Sequence, residues 1–342
     1  MPRPITNLPS GEPVADSGGH LRFQPARRQA MVIGFIGLGQ LGSRLTRNLL
    51  QSGHTVVAYD LDDLSMEAVR TSGAVTANTT VALARISEMV ITCLPSPAAS
   101  RDVMAGKNGV LQAMKAGSTW MEMSTTSVAE ARKMHDLAAD HGINMLEAPL
   151  TGGIHRAASG EMTILVGGNE DLYDSHFELL ETLGGQVIYM GAVGNASLVK
   201  VITNLLCLVD LIAAGEALML AKKGGLDLWT CYKAICASSG SSREFEDWAP
   251  VILNGTMNTG FTTDLGLKDL GLVADLGEQY GVPLKLTHFV KSLFEQSRER
   301  FGGDAWTPYV IKMLEEEVGE EIRAEGFSKR VKIVGSESFT WE

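Results

Sequence analysis

One short stretch, Gly34-Phe35-Ile36-Gly37-Leu38-Gly39-Gln40-Leu41-Gly42, carries most of the information about how this chain folds. An apolar run leads into it from Val32, and a segment with helical periodicity, Leu41 to Ser52, follows it. A second apolar run, Thr55 to Tyr59, completes the order strand, glycine-rich turn, helix, strand. Glycines also occur in ordinary turns, but in this order they let the backbone approach a pyrophosphate at the start of the helix. The stretch therefore predicts a dinucleotide-binding βαβ unit in which the residues from Gly37 to Gly42 contact the cofactor.

Further strand candidates alternate with helix-like segments along the first half of the chain. They are Met89 to Cys93, Thr119 to Met123, Asn144 to Glu147 and Thr163 to Val166. Strands that alternate with helices favour a mainly parallel sheet covered by helices on both faces. After Gly194 the pattern changes to long helical periods with few β-branched runs. We therefore predict an α/β Rossmann-type doubly wound sheet in residues 30–193, followed by an all-α domain in residues 194–319.

The two ends of the chain differ in composition from these domains. Residues 1–29 contain five prolines and three glycines and show neither strand nor helix periodicity, which predicts a disordered leader. The segment lacks the apolar centre of a secretory signal, and its prolines and acidic residues fit poorly with an organelle transit helix. Residues 320–342 form a tail that is first charged and then apolar, and its pattern favours no particular element.

Charge and cysteine content argue against several classes of partner. The chain of 342 residues has 40 acidic and 29 basic residues and a formal net charge of −11, whereas binding along nucleic acid needs clustered Lys and Arg. The most apolar region, Ser197 to Leu220, is interrupted by three charged residues, which favours a buried helix over a membrane span. The four cysteines have neither metal-ligand nor disulfide spacing. We predict a cytoplasmic protein that binds a small molecule and that has no nucleic-acid, membrane or metal partner.

Two strand ends carry residues that bear on the identity of the cofactor. Asp60 follows the second strand, where a carboxylate can accept hydrogen bonds from a ribose 2′-hydroxyl and would repel a 2′-phosphate. The alternative is a plain turn residue, since Asp is common in turns and Asp62 and Asp63 follow closely. Leu94 and Pro95 end a later strand at the same edge of the predicted sheet, so we expect them to border the cofactor. This pattern favours NAD over NADP.

The first helix of the second domain carries a polar pair on an apolar surface. Lys200 and Asn204 are four residues apart and therefore share a helix face. Burial would lower the pKa of the lysine toward neutrality, which would suit it to exchange the proton of a hydroxyl group during hydride transfer. The amide could hold both the lysine and the substrate. The alternative is that Lys200 reaches water from a helix end and that Asn204 is merely hydrogen-bonded, and the spacing alone does not separate the two.

Several motifs occur together in the order and at the spacing typical of one enzyme family. They are the glycine-rich stretch, the Ser124-Thr125 pair, Glu147-Ala148-Pro149-Leu150-Thr151-Gly152-Gly153, the helix with Lys200 and Asn204, the serine-rich loop Ser238-Ser239-Gly240-Ser241-Ser242, and Lys268-Asp269-Leu270. From about Met31 to about Gly319 the chain resembles the β-hydroxyacid dehydrogenases, which include 3-hydroxyisobutyrate dehydrogenase, tartronate semialdehyde reductase and 2-(hydroxymethyl)glutarate dehydrogenase. It departs from the family pattern at Leu41 (usually Met), Glu147 (Asp), Leu150 (Val), Thr151 (Ser) and Thr203 (Asn). The departures in the substrate motif predict a pocket of different shape.

The resemblance implies a reaction and assigns residues to it. The reaction is the NAD-dependent interconversion of a small 3-hydroxy acid and its semialdehyde or keto acid, with Lys200 as general acid and base and Asn204 as the second catalytic residue. The residues implied to bind the substrate carboxylate are Ser124, Thr151, Gly152, Gly153, Ser239 and Lys268. Thr125 and Lys268 would contact the cofactor. Apart from the resemblance, His155 and Arg243 lie next to these motifs and could bind a second acidic group on the substrate; the alternative is that both are solvated. The family also implies a homodimer or homotetramer built through the helix from Ala196.

Other functions share this fold and have to be weighed. The related 6-phosphogluconate dehydrogenase carries a histidine where this chain has Thr203, and imine reductases usually lack the lysine. A sensor or assembly module could keep the cofactor site without catalysis, because fold and cofactor do not by themselves determine function. Thr203 argues against the first of these functions, and Lys200 favours an alcohol or aldehyde substrate over an imine. Lys200 and the acidic net charge together argue against a module without catalysis.

Overall fold

The computed structural model of the protein describes residues 11–15, 21–25, 30–153, 156–157, 160–327, 330–331 and 339–340. Near the N-terminus, strands β1 (Gly11–Ala15) and β2 (Leu21–Pro25) pair antiparallel. The sequence predicted no regular structure in residues 1–29, and that prediction is wrong for these two segments. Hydrogen bonds between two paired strands satisfy their backbone N–H and C=O groups. Such strands can therefore form without an alternating pattern of apolar side chains. The rest of the predicted leader lies outside the described residues.

A mixed, mainly parallel sheet forms the centre of the first domain. Its strands are β3 (Val32–Ile36), β4 (Thr55–Tyr59), β5 (Val75–Thr76), β6 (Met89–Thr92), β7 (Thr119–Glu122), β8 (Asn144–Glu147), β9 (Leu150–Thr151), β10 (Thr163–Gly167) and β11 (Gln186–Gly191). They lie in the order β11-β10-β8-β7-β6-β3-β4-β5, with β9 beside β10. Neighbours are parallel, except that β10 runs antiparallel to β8 and β9. Because the strand order reverses at β3, a crevice opens outside the carboxyl ends of β3 and β6.

Helices cover both faces of this sheet. They are α1 (Gly42–Gln51), α2 (Asp63–Thr71), α3 (Thr80–Ile86), α4 (Pro97–Ala105), α5 (Val128–Asp140) and α6 (Glu170–Leu183). Successive strand residues enter opposite core clusters: Phe35 packs in one with Leu45 and Leu49 of α1, and Ile36 packs in the other with Trp120. A strand buried on both faces reads as a continuous apolar run, as the sequence showed. The architecture confirms the predicted Rossmann-type doubly wound sheet.

The second domain is helical and is organised around one long helix. Its helices are α7 (Asn195–Lys223), α8 (Leu228–Cys236), α9 (Arg243–Leu253), α10 (Thr263–Tyr280), α11 (Lys285–Phe301) and α12 (Tyr309–Val318). Within the described residues, α7 is the one helix long and apolar enough to cross a membrane. It nevertheless packs in the domain core through Leu208, Leu211 and Leu218. A Cβ at Gly215 would lie 2.2 Å from Ile311, so this glycine lets α7 and α12 approach closely.

The first part of the tail belongs to the helical domain. Ile322 is fully buried in the core, and its N–H donates to Glu315 Oε1 at 2.8 Å. The same carboxylate oxygen binds Arg323 Nη1 at 2.5 Å. Phe327 packs against aromatic residues of α8. Two short strands, β12 (Arg330–Val331) and β13 (Phe339–Thr340), pair antiparallel near the C-terminus. The sequence pattern had assigned no element here, because single apolar residues in a charged segment show no periodicity.

Candidate active site

A cleft of about 910 Å³ lies between the two domains, at the carboxyl ends of β3 and β6. The predicted site residues that line it are Gly37, Gly39, Gln40, Leu41, Gly42, Asp60, Leu94, Pro95, Ser124, Thr125, Thr151, Gly152, Gly153, Lys200, Asn204, Arg243 and Lys268. Two predicted residues are not among the lining side chains: Leu38 is buried beneath the glycine-rich turn, and Ser239 is exposed in the turn after α8. His155 lies outside the described residues.

The glycine-rich turn is shaped for a close approach of backbone to an anion. Gly37 has a φ of +97°, and a Cβ there would lie 2.3 Å from the carbonyl oxygen of Cys93. A Cβ at Gly42 would lie 1.9 Å from the carbonyl oxygen of Gly37. Within the described residues, α1 begins without a side-chain cap and has no acidic residue in its first turn. The N–H groups of Ser43 and Arg44 pair with the carbonyl oxygens of Gly39 and Leu41, whereas no carboxylate in the first turn competes for the positive end of the helix, which favours a pyrophosphate there.

Asp60 lies at the edge of the cleft, directly after β4. Its Oδ2 accepts a hydrogen bond from the Leu38 N–H at 2.5 Å, and its Oδ1 accepts one from the Asp62 N–H at 2.9 Å. These bonds hold the carboxylate beside the glycine-rich turn, and its remaining lone pairs can accept a further donor. Asp60 can therefore both stabilise the turn through these hydrogen bonds and contact a cofactor.

Ser124 joins the carboxyl ends of β6 and β7. Its Oγ accepts a hydrogen bond from the Leu94 N–H at 2.8 Å and lies 3.4 Å from Ser100 Oγ. The Ser124 N–H donates to Glu122 Oε1 at 2.8 Å. Burial raises the pKa of the Glu122 carboxyl, and its hydrogen bonds with Ser124 oppose that shift. Sequence reasoning gave no role to Glu122, although its position as the last residue of a buried strand was a signal for one.

The substrate motif forms another edge of the cleft. After β9, Gly152 and Gly153 have φ values of +121° and +78°, a conformation that favours glycine and that occurs in backbone nests for anions. A Cβ at Gly152 would lie 3.1 Å from the Arg156 side chain. Arg156 Nη2 lies 3.7 Å from Asp247 Oδ2 of α9. Arg156, which follows the motif, thus forms an ion pair with the helical domain.

Four side chains, here called the lysine cluster (Lys200, Asn204, Lys268 and Asp269), form a continuous set of contacts. Lys200 Nζ donates to Asn204 Oδ1 at 2.7 Å, and Asn204 Nδ2 donates to Asp269 Oδ2 at 2.5 Å. Asp269 Oδ1 lies 3.0 Å from Lys268 Nζ. Lys200 and Asn204 are each 9% exposed. The structure therefore places Lys200 inside the cleft and not in water at a helix end.

The surroundings of Lys200 shift its protonation equilibrium. Burial lowers the pKa of the Lys200 ammonium, and the nearby charge of Asp269 is the largest effect that raises it again. Cys207 and Glu244 also raise the pKa, and Lys268 lowers it. With a lowered pKa, a larger fraction of the amine is neutral near neutral pH and can accept a proton. Sequence reasoning missed Asp269, although it lies inside a motif that was noticed.

Comparison with known proteins identifies the family. Residues 32–191 match the NAD binding domain of 6-phosphogluconate dehydrogenase, and residues 194–314 match the NAD-binding domain of NADP-dependent 3-hydroxyisobutyrate dehydrogenase. The 2-(hydroxymethyl)glutarate dehydrogenase of Eubacterium barkeri is 35% identical over 295 residues, which span 86% of this chain and 98% of that protein. The chain belongs to the β-hydroxyacid dehydrogenase family. As a β-hydroxyacid dehydrogenase, it is an oxidoreductase that acts on CH–OH groups with a nicotinamide cofactor, so the non-catalytic alternative is set aside.

Other members of the family also resemble this chain over most of its length. The L-threonate dehydrogenase of Cupriavidus necator is 33% identical over 82% of this chain and 95% of its own length. A Mycobacterium tuberculosis 3-hydroxyisobutyrate dehydrogenase solved with L-serine is 29% identical, with a TM-score of 0.75 over 84% of this chain and 99% of that chain. An imine reductase from Myxococcus stipitatus is 19% identical with a TM-score of 0.57, and this likeness concerns the fold alone.

In this β-hydroxyacid dehydrogenase, the wall formed by α9 carries acidic groups. Glu244 and Asp247 line the cleft together with Arg243. Burial raises the pKa of Glu244, whereas its hydrogen bond with Cys207 lowers it. Arg243, which the sequence suggested for a second acidic group, is exposed next to these carboxylates. Sequence reasoning missed Glu244 and Asp247, although their spacing of three residues on one helix would have placed them on a common face.

Proposed function

We propose that this dehydrogenase oxidises a small 3-hydroxy acid with NAD⁺ to the corresponding semialdehyde or keto acid, reversibly, with Lys200 as the general acid and base. One observation carries the proposal: Lys200, hydrogen-bonded to Asn204, is buried in the cleft that also contains the glycine-rich turn. Hydride transfer from a CH–OH group must be accompanied by loss of the hydroxyl proton, so a proton acceptor is needed beside the reacting carbon.

The contacts of Lys200 suit it to this proton transfer. The neutral amine donates one hydrogen bond to Asn204 Oδ1, and its lone pair stays free for the substrate hydroxyl. Asp269 accepts from Asn204 Nδ2 and so holds the amide with its oxygen toward the lysine. In the reverse direction the Lys200 ammonium returns the proton to the oxygen of the aldehyde or ketone. Asn204 would orient the reacting oxygen as a second donor or acceptor in the cleft.

The residues of the cleft fit a nicotinamide dinucleotide, which supplies the hydride acceptor when it is bound. Gly37 and Gly42 keep the turn tight, because a Cβ at either position would overlap a backbone carbonyl oxygen, and a tight turn at the start of a helix suits a pyrophosphate. Asp60, with Asp62 and Asp63 beside it, would accept hydrogen bonds from a ribose 2′-hydroxyl and repel a 2′-phosphate. A structural relative, Psf3, was solved with NADP⁺ at 25% identity and a TM-score of 0.77. We nevertheless expect this chain to prefer NAD⁺ because of these three carboxylates.

The substrate carboxylate would bind opposite Lys200. We assign it to Thr151 and the backbone of Gly152 and Gly153, with Ser124 and Lys268 as further donors. The Ser124 hydroxyl accepts from the Leu94 N–H and is also hydrogen-bonded to the Glu122 carboxyl, so its hydrogen would turn from Glu122 to the substrate carboxylate. Thr151 keeps the hydroxyl of the family's serine and adds a methyl group, which would narrow the site.

We propose further that the protein is a homo-oligomer assembled through its helical domain. The long helix α7 exposes Ile202, Leu206 and Leu220, and α11 exposes Leu286 and Phe289. Large apolar side chains exposed along neighbouring helices are typical of a subunit interface. Light scattering after gel filtration measures the mass directly, and a monomer of 36.7 kDa would contradict the proposal.

The reaction is tested by a spectrophotometric screen of the purified protein. NAD⁺ and NADP⁺ are offered separately with 3-hydroxyisobutyrate, 2-(hydroxymethyl)glutarate, D-glycerate, L-serine, threonate and a sulfonated analogue. We expect NADH formation with at least one acid and a higher kcat/KM with NAD⁺. Tight NADH binding without turnover on the whole panel would argue against the proposed substrate class.

The role of the lysine is tested with Lys200→Ala. Loss of a general acid and base lowers the rate by about 10²- to 10⁴-fold, while NADH binding should stay near the wild-type value. Lys222→Ala is the matched control, because Lys222 lies in the last turn of the same helix. Turnover retained in Lys200→Ala would remove the lysine from the mechanism.

A further inference from the structure

The helix that carries Lys200 is anchored by a carboxylate from the other domain. Glu147, the last residue of β8, is 1% exposed. Its Oε1 accepts hydrogen bonds from the Gly194 N–H at 2.6 Å and the Ala196 N–H at 3.0 Å. Its Oε2 accepts from the Ser197 N–H at 3.3 Å and from Ser197 Oγ at 2.5 Å. One buried carboxylate thus binds the first turn of α7 with both of its oxygens.

This arrangement replaces the local cap that the sequence of α7 does not provide. The N-cap residue is Gly194, which has a φ of +99° and no side chain, and the first turn of α7 contains no acidic residue. A carboxylate at a helix N-terminus satisfies unpaired N–H groups and balances the positive end of the helix dipole. Because Glu147 lies about 50 residues away in sequence, it also ties the helix to the sheet.

The neighbouring strand leaves room for this contact. Gly167 of β10 is the register partner of Glu147, and a Cβ at Gly167 would lie 2.2 Å from Glu147 Oε1. A side chain at position 167 would therefore push the carboxylate away from α7. The carboxylate reaches the helix for two reasons: residue 167 has no Cβ, and the glutamate side chain is long enough.

Glu147 stands between the two halves of the proposed site. The substrate motif continues directly from it through Ala148 to Thr151, and Lys200 follows Ser197 by three residues, less than one helical turn. We infer that Glu147 is a positioning residue that sets where Lys200 stands relative to the substrate loop and the cofactor turn. This inference rests on the proposed role of Lys200. It assigns Glu147 no contact with the substrate.

The test uses Glu147→Gln in the full-length protein. Glutamine keeps the size of the side chain, but it carries no charge and its amide N–H₂ would face the Ser197 N–H. We expect kcat, expressed per NADH-binding site, to fall roughly 10- to 100-fold, because small displacements of a catalytic group cost rate steeply. The dissociation constant for NADH should stay near the wild-type value. Glu147→Asp, which keeps the charge but is one methylene shorter, should retain more activity than Glu147→Gln.

Two further variants separate positioning from general destabilisation. Gly167→Ala leaves Glu147 chemically intact but displaces its carboxylate, so it should reproduce the loss of kcat. Glu315→Gln is the matched control: Glu315 is a buried carboxylate that binds the Ile322 N–H and Arg323, and none of these three residues lines the cleft. It should lower the melting temperature and leave kcat per NADH-binding site near the wild-type value. Wild-type kcat per site in Glu147→Gln would overturn the inference.

A readout without substrate keeps this test independent of the proposed function. The rate at which a small amine-directed reagent labels Lys200 is followed by peptide mass spectrometry, with the exposed Lys115 as internal reference. Displacement of α7 should change the labelling of Lys200 in Glu147→Gln and Gly167→Ala but not in Glu315→Gln. Unchanged labelling in the first two variants would overturn the inference whether or not a substrate is known. Loss of turnover in Lys200→Ala with none in Glu147→Gln would leave the proposed function intact and remove only Glu147.

Discussion

Asp269 offers a sharp test of the lysine cluster, because it contacts two other members and raises the pKa of Lys200. Asp269→Asn removes the charge and keeps the shape. The carboxylate accepts from Asn204 Nδ2 at 2.5 Å and lies 3.0 Å from Lys268 Nζ. A hydrogen bond to a charged group contributes about 1.5–3 kcal/mol, and about 1.4 kcal/mol corresponds to a tenfold change in rate. We therefore expect kcat/KM for oxidation to fall roughly 10- to 100-fold at its plateau.

The same substitution should move the pH profile in a defined direction. Oxidation needs the neutral form of Lys200, so kcat/KM rises with pH through the pKa of Lys200. Asp269 raises that pKa more than any other nearby charge, while Glu244 and Cys207 act in the same direction and Lys268 opposes them. Without the Asp269 charge the pKa of Lys200 falls further, and the rising limb should move to lower pH.

The assay is initial-rate NADH formation across the pH range, with the best substrate of the panel. Asp264→Asn is the control, since Asp264 lies on the same helix α10 and its ion pair with Arg298 is half exposed. Exposed ion pairs contribute about 0–1 kcal/mol to stability. In Asp264→Asn the plateau value of kcat/KM and the pH of its rising limb should therefore stay near those of the wild type. A limb that stays in place or moves to higher pH in Asp269→Asn would refute the assigned coupling between Asp269 and Lys200.

Three further substitutions test the cofactor site and the fold. Asp60→Asn should raise the kcat/KM ratio of NADP⁺ to NAD⁺ about tenfold or more, because it removes the carboxylate that would repel a 2′-phosphate; an unchanged ratio would count against the NAD⁺ preference. Gly37→Ala should abolish NADH binding by titration calorimetry, since its Cβ would overlap a backbone carbonyl, whereas Gly53→Ala, also at positive φ but with open space around it, should bind NADH normally. Ile322→Ala should lower the free energy of unfolding in urea by about 2–5 kcal/mol, and the exposed Leu226→Ala should change it little; equal effects would show that the tail is not part of the core.

Local sequence determined the first domain and its cofactor turn. A buried parallel strand reads as a continuous apolar run, and a glycine-rich turn between such a strand and a helix has few other uses, so Val32 to Gly42 could be interpreted without neighbours. For Lys200 and Asn204, helix geometry determined only that the two residues share a face, because they are four residues apart. Each of these inferences concerns residues within a few turns of one another.

Tertiary structure alone decided which groups surround Lys200 and Asn204. Asn204 meets Asp269 across 65 residues of sequence, and Glu147 reaches the start of α7 across about 50. No periodicity links such positions, because their contact depends on how two domains pack and not on the spacing within one element. The burial that lowers the pKa of Lys200 has the same origin, since a lysine on an apolar helix face has no determined environment until other elements cover it. The sequence thus supplied Lys200 and Asn204, and the packing of α7 against the sheet and α10 lowered the pKa of the lysine and oriented the amide.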